Sequence, residues 1–362
     1  MKEIINSLKN TFLKMQTPEG YFVDPVYNII DPRPTAEICK SFLYLGYETE
    51  AKKGFDWLLT VQQPNGSWLE VLPDGFVGES GVATSAVGRL MMVAYRKTGR
   101  REYLDAALKA GDYMLSIEFS PGYFIKSNGH YADVLNVDAM AAAHLYELYI
   151  ITKKKKYLDA RDRAIYNVIR YQFKDGALPY AIPVRASPYE WHLNLRDPHY
   201  HALTFYFLIM ADPEFKNIYL KKILPKLQFW LEKVLSAKGF DWSEGKHTFS
   251  VGVNSGYGYA AYILNYLKSP KAGLAVNKLK KIQRPDGLFN RFDVLTASEV
   301  FKWVAKELFE FNYISPANFN LATKLKRTKN YLRRVWDRTA PNLRCSLFYS
   351  SQIFDCLTEI SV

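Results

Sequence analysis

The sequence predicts an all-α fold, a toroid of two concentric rings of antiparallel helices, and three observations predict it. A glycine turn followed by a large apolar residue keeps returning: Gly20-Tyr21-Phe22, Gly66-Ser67-Trp68, Gly122-Tyr123-Phe124, Gly176-Ala177-Leu178, Gly239-Phe240-Asp241-Trp242 and Gly287-Leu288-Phe289. Each turn follows an amphipathic, basic-faced segment and precedes a polar loop and a less charged segment rich in Ala, Gly, Leu and Tyr, so the repeated unit is a helical hairpin. The stretches between turns repeat as well, since Thr98-Gly99-Arg100-Arg101-Glu102-Tyr103-Leu104-Asp105-Ala106 is echoed by Thr152-Lys153-Lys154-Lys155-Lys156-Tyr157-Leu158-Asp159-Ala160. Strand-like alternation is almost absent.

Taken in order, residues 2–15 set Ile4, Ile5, Leu8, Phe12 and Leu13 on one side of a first outer helix. Further outer helices are expected near 48–62, 100–117 (with Leu104, Ala107, Leu108 and Met114 at helical spacing), 155–173, 214–236, 270–284 and 317–337. Inner helices follow near 34–46, 80–98, 136–152, 197–211, 254–267, 294–311 and 346–360. Asp197 before Pro198 reads as an N-cap with proline in the first turn, and Asn136 as another cap with Asp138 just inside it. Ala141-Ala142-Ala143 and Gly258-Tyr259-Ala260-Ala261 allow close packing. The count leaves six or seven hairpins to complete the ring. Every outer-to-inner loop opens onto one rim of a toroid with a hollow axis, and function is expected in those loops.

Composition agrees with a single domain over 1–362, because 362 residues at 48% hydrophobic can bury a large core and no Ser/Gly or Pro linker divides the repeats. The first residues lack the apolar run and small-residue cleavage site of a signal peptide, and no span is long enough for a membrane helix, so a cytoplasmic location is expected. Cys39, Cys345 and Cys356 show no metal-ligand spacing and are expected to be reduced; no metal or cofactor is expected. The net charge of +12 favours an anionic partner. Much of it crowds 324–338, a solvated face or a peripheral membrane contact. No nucleic-acid motif accompanies it.

On these turns and hairpins the chain resembles the six-hairpin (α/α)6 toroids, which include glycoside hydrolases, polysaccharide lyases, sugar epimerases, terpenoid cyclases and protein prenyltransferases. Gln63-Pro64-Asn65-Gly66-Ser67-Trp68, with a weaker copy at Gln283-Arg284-Pro285-Asp286-Gly287-Leu288-Phe289, is similar to the glutamine-tryptophan repeat of triterpene cyclases. The Gly-aromatic turn alternating with Thr-Gly-x-x-x-Tyr-Leu-x-Ala resembles toroids of surface-polysaccharide biosynthesis. The cyclase family's Asp-x-Asp-Asp acid motif is missing, as is the zinc-ligand spacing of prenyltransferases, which leaves the isoprenoid reading as the alternative.

The glycan reading needs aromatic platforms, proton-transfer groups and cations for a uronate. The segment 187–201 holds Trp191, His192, Arg196, Asp197, His199 and His201; 128–138 holds His130, Tyr131 and Asp133; and Glu79 sits among glycines. Arg33 lies at the first rim loop, Trp68 in the second turn, and Asn254 and Tyr257 at the fifth loop. The expected catalytic residues are His192, His199, Asp133, Glu79 and Tyr257. Substrate contacts are expected from Arg33, Trp68, His130, Tyr131, Trp191, Arg196, His201 and Asn254. An arginine would neutralise a uronate while His or Tyr takes the C5 proton in a lyase or epimerase, or Glu79 and Asp133 would flank a glycosidic bond in a hydrolase. A toroid that binds a glycan or a protein without turnover is the remaining class.

Overall fold

A computed structural model describes residues 1–72, 75–127, 132–183, 196–242, 253–292, 321 and 346–361. Outer helices are α1 (Lys2–Met15), α3 (Glu48–Thr60), α5 (Arg101–Ser116), α7 (Lys155–Arg170), α9 (Ile218–Val234) and α11 (Ala272–Ile282). They alternate with inner helices α2 (Pro32–Tyr44), α4 (Gly81–Thr98), α6 (Leu135–Thr152), α8 (Pro198–Ala211), α10 (Ser255–Tyr266) and α12 (Leu347–Ser361). Each inner helix packs on the next, and α12 returns to α2, so six inner helices close the ring among the described residues. The segments expected near 294–311 and 317–337, which would have made a seventh hairpin, lie outside the described residues apart from residue 321.

The polarity of each helix decides its ring. Helices α6 and α8 are apolar around their circumference and buried nearly throughout, whereas α7 buries one stripe and turns its charges outward. Repeats are joined on the outside by the Tyr-Leu-Asp-Ala motif: the Tyr103 hydroxyl donates to Asp56 on the preceding outer helix (2.8 Å), and Tyr157 repeats the bond to Asp112 (3.3 Å).

One device fixes five of the six glycine turns to their neighbours. In the second repeat the N–H of Trp68 donates to Thr84 Oγ1 on α4; in the third, Phe124 donates to Asp138 on α6; in the fourth, Leu178 donates to His201 Nδ1 on α8. Phe240 and Phe289 are held in the same way by the Tyr257 hydroxyl and Ser350 Oγ. The glycine lets the turn lie flat on the next outer helix. A β-carbon at Gly66, whose φ is +91°, would sit 2.4 Å from the carbonyl oxygen of Lys109 on α5, and one at Gly287 would sit 2.6 Å from Ser7 Oγ on α1. The Gly287 turn thereby closes the outer ring, helped by Thr11 Oγ1 donating to the Asp286 carbonyl (2.6 Å). A glutamine four residues before the glycine clamps the turn: Gln16, Gln62, Gln172 and Gln283 donate to the carbonyls of Gly20, Gly66, Gly176 and Gly287. In the second repeat the clamp is Gln62 rather than the neighbouring Gln63 of the sequence motif.

The rim loops carry short two-stranded ribbons that sequence alternation does not announce: β1 (Leu69–Val71) with β2 (Val77–Glu79), β3 (Glu118–Ser120) with β4 (Tyr123–Phe124), β5 (Ala132–Val134) with β6 (Ala181–Pro183), and β7 (Leu235–Ser236) with β8 (Gly239–Phe240). Strand β5 runs straight into α6. The Leu135 N–H therefore finds the Tyr180 carbonyl (3.1 Å), and Asn136, expected as the cap, lies inside the helix.

The axis below the rim is not hollow. Arg33 on α2 donates to Glu37 (2.7 Å), which accepts from Ser351 on α12 (2.6 Å); Lys40, fully buried, pairs with Asp355 (2.9 Å) and Glu359; and Arg89 on α4 faces Asp355 at 3.8 Å. Tyr206 on α8 donates to Asp355 as well (3.2 Å). Among the described residues three cations and three carboxylates thus fill the centre, each compensated by an opposite charge and all but Glu359 buried.

Candidate functional site

All six inner helices begin at the same rim, so the positive ends of their dipoles converge there and favour an anion. Asp31 caps α2 by accepting from the Arg33 N–H (2.8 Å), Ser80 caps α4, and Asp197 caps α8 through the Tyr200 N–H (3.0 Å). The floor of the rim is built from the first turns of these helices: Arg33, His199 and Tyr200, Tyr259 from the second turn of α10, and Phe348 and Tyr349 from α12. Arg33 Nη2 reaches the Tyr259 hydroxyl (3.2 Å), and the guanidinium stacks on Phe348 (5.0 Å to the ring centre).

His199 sits among the rings of Tyr200, Tyr259 and Tyr349, with centroids 4.9, 6.2 and 6.5 Å away. Only 4% of it is exposed, and its Nδ1 has no hydrogen-bond partner among the described residues. Burial, reinforced by the positive charges of Arg33 and Arg291, holds its pKa down to about 3, so the ring is neutral. Beside it, the loop carrying Arg291 is fastened to the cap of α10: the Asn254 N–H donates to the Arg291 carbonyl (3.0 Å) and its amide to the Asn290 carbonyl (2.9 Å). Arg291 Nε and Asn254 Oδ1 are also buried without partners. Among the described residues a donor, an acceptor and an imidazole nitrogen with unmade hydrogen bonds therefore share one sector of the rim, where a ligand or water can bond to them.

A cavity of about 90 Å³ adjoins this sector, lined among others by Asp24, Tyr27, Asp31, Arg291, Phe348 and Tyr349. Arg291 lies against the face of Tyr349 (5.6 Å) and of Phe292 (4.8 Å). Burial raises the pKa of Asp31 to about 7 and the negative charge of Glu70 adds to it, although the N–H groups of Val71 (3.0 Å) and Arg33 and the Arg33 guanidinium pull the other way. A carboxyl that is half protonated at neutral pH can donate or accept a proton.

Of the residues expected from sequence, Arg33, His199 and Asn254 meet in this sector. Arg196 lies at the rim, held by Asp175 (2.6 Å) and stacked on Phe173. Glu79 ends β2 and accepts from Asn65 (2.8 Å). Four others serve the framework. Trp68 is fully buried, its indole N–H donating to the Leu58 carbonyl (2.9 Å), which removes it from any sugar-binding surface. His201 and Tyr257 each hold a glycine turn, His201 also contacting the Leu227 carbonyl (3.1 Å). Asp133 is buried beside Asp138, with Asn167 of α7 donating to both (2.8 and 3.0 Å); the two carboxyls share a hydrogen bond, and burial next to Asp133 pushes Asp138 well above the usual carboxylate range. His192, Trp191, His130 and Tyr131 lie outside the described residues. Sequence reasoning missed Asp24, Tyr27, Arg291 and Tyr349. Only Arg291 carried a signal, its place just past the sixth glycine turn, matching the positions of the other rim loops.

Among the described residues, no three His, Cys, Asp or Glu side chains gather as a metal site, and no helix is long and apolar enough to cross a membrane. No protein-family model matches the sequence, and no curated protein is significantly similar to it. Solved structures are similar in fold. A family 76 glycoside hydrolase from a bovine Bacteroides thetaiotaomicron strain superposes with a TM-score of 0.65 at 10% identity, over 99% of this chain and 77% of that one. A D-mannose isomerase gives 0.60 at 15% identity over 81% and 88%. An unsaturated glucuronyl hydrolase specific for heparin gives 0.57 at 14% identity over 92% and 96%. Likeness at such identity is likeness of architecture, and the architecture this chain shares with those carbohydrate-active enzymes is the (α/α)6 toroid.

Proposed function

We propose that the chain is a carbohydrate-active enzyme, one toroidal unit working in the cytoplasm on an acidic, uronate-bearing oligosaccharide bound at the rim. The observation that carries this reading is the set of buried, unpartnered polar atoms on His199, Arg291 and Asn254, next to a cavity walled by Tyr27, Phe348 and Tyr349. Aromatic walls suit the apolar faces of sugar rings, and the two arginines with the converging helix dipoles suit a carboxylate. The fold is one that also houses the glucuronyl hydrolase, the family 76 glycoside hydrolase and the mannose isomerase, and those activities belong to the carbohydrate class. The charged axis weighs against the isoprenoid alternative, which needs a continuous apolar cavity.

In this reading Arg291 neutralises the substrate carboxylate, lowering the barrier to removing the C5 proton, and the neutral His199 accepts that proton at Nδ1. Asp31, protonated in part at neutral pH, supplies a proton on the cavity side. Incubation with uronate-containing and neutral oligosaccharides tests it, following absorbance near 232 nm, C5 deuterium uptake and new reducing ends. Unsaturation or exchange on uronates, lost in Arg291→Gln, is the expected result. New reducing ends without exchange would move the chemistry to a hydrolysis centred on Asp31, and inertness with tight binding would make this a glycan-binding toroid.

A further inference from the structure

The outward face of α9 differs from those of the other outer helices. Ile218, Lys221, Lys222, Pro225, Lys226 and Phe229 fall at helical spacing on one side and are all exposed, Ile218 at 71% and Phe229 at 64%. No acidic residue interrupts this stripe, and Lys221, Lys222 and Lys226 have no ion-pair partner among the described residues. Other outer helices carry several of their charges in pairs, as in Lys52–Asp56, Arg101–Asp105, Lys155–Asp159 and Lys280–Glu3. No other outer helix shows more than one large exposed apolar side chain among the described residues, while α9 shows Ile218, Tyr219 and Phe229.

We infer that this face of α9 docks the protein on an anionic lipid membrane. The lysines supply attraction to acidic headgroups, and Phe229, Pro225 and Ile218 supply the apolar contacts that reach below them, the pattern of an amphipathic helix lying in a membrane interface. The exposed apolar members of this face, Phe229, Pro225 and Ile218, would gain nothing from a polyanion in water. The stripe belongs to an outer helix, whereas the rim floor is built from the first turns of the inner helices. The inference does not depend on the chemistry proposed there.

The test is co-sedimentation of the full-length protein with vesicles of phosphatidylcholine alone or with about one phosphatidylglycerol in three lipids. Binding only to the anionic vesicles, falling with added salt, is expected. Lys221→Gln/Lys222→Gln/Lys226→Gln should weaken it roughly a hundredfold, and Phe229→Ala roughly tenfold. A control that removes the same charge elsewhere, Lys14→Gln/Lys53→Gln/Lys109→Gln, should bind within about twofold of wild type. Circular dichroism melts confirm that each variant is folded. Failure to bind anionic vesicles, equal binding to neutral ones, an equal loss in the control, or loss in the α9 variants of affinity for an acidic polysaccharide alone would each overturn the inference.

Discussion

The backbone N–H of Phe124 donates to Asp138 Oδ1 across 2.8 Å, and that bond occupies the place that Trp68 to Thr84 and Leu178 to His201 hold in the neighbouring repeats. A carboxyl, a hydroxyl and an imidazole do one job because the job is only to accept a hydrogen bond from a buried turn. Residue types that suggest chemistry are, at this position, framework.

Replacing that acceptor should therefore destabilise the fold. Asp138→Leu leaves the Phe124 N–H and one Asn167 proton unbonded in a buried site, and a loss of about 2–4 kcal/mol is expected in urea unfolding. Asp138→Asn keeps an oxygen for Phe124 and should lose much less.

Glycine position decides a second outcome. Gly66→Ala drives a methyl into the Lys109 carbonyl at positive φ and should cost about 3 kcal/mol or more. Gly46→Ala, also at positive φ (+82°) but with open space around it, should cost about 1 kcal/mol. Thermal melts of the pair separate the clash from the backbone preference.

On the axis, Lys40→Met takes from the buried Asp355 its nearest cation, and about 3–5 kcal/mol should disappear from the unfolding free energy.

Asp31 gives a prediction with a sign. Its folded pKa, near 7, lies above its ordinary 3.8, so the stability it contributes is present below about pH 4 and is lost as pH rises through 7. Asp31→Asn, still a competent helix cap, should flatten the fall in melting temperature between pH 4 and 8.

For His199 the sign is opposite. A folded pKa near 3 means the neutral ring is tolerated and the charged one is not, so acid costs stability as pH falls below the ordinary 6.5 towards 3. A bound carboxylate offsets Arg33 and Arg291, so the His199 imidazole resonances should titrate at higher pH with glucuronate present. No change on ligand addition would remove His199 from the binding site.

The rings were legible because burial imposes a helical period and the turns repeat a glycine that nothing else can replace. The outer helix at 2–15 and the inner one at 80–98 fall within a residue of their expected limits. The site was less legible. Arg33, His199 and Asn254 stood out as polar residues at helix starts, but so did His201 and Tyr257, and only packing tells an imidazole aimed at a turn from one aimed at the rim. Tyr349 becomes a neighbour of Asp31 through ring closure, a relation that carries no local pattern. The charged axis was invisible for the same reason, since Lys40 and Asp355 lie at opposite ends of the chain.

That separation bears on how the molecule is made. Lys40 emerges from the ribosome with the first hairpin, yet Asp355, Glu359 and the Ser351 hydroxyl for Glu37 arrive with the last helix. Until then the inner face of α2 cannot be desolvated at acceptable cost, so early hairpins gain little by docking firmly on one another. A linear array of the same repeats could grow stable one unit at a time; this one should complete its core in a single late step.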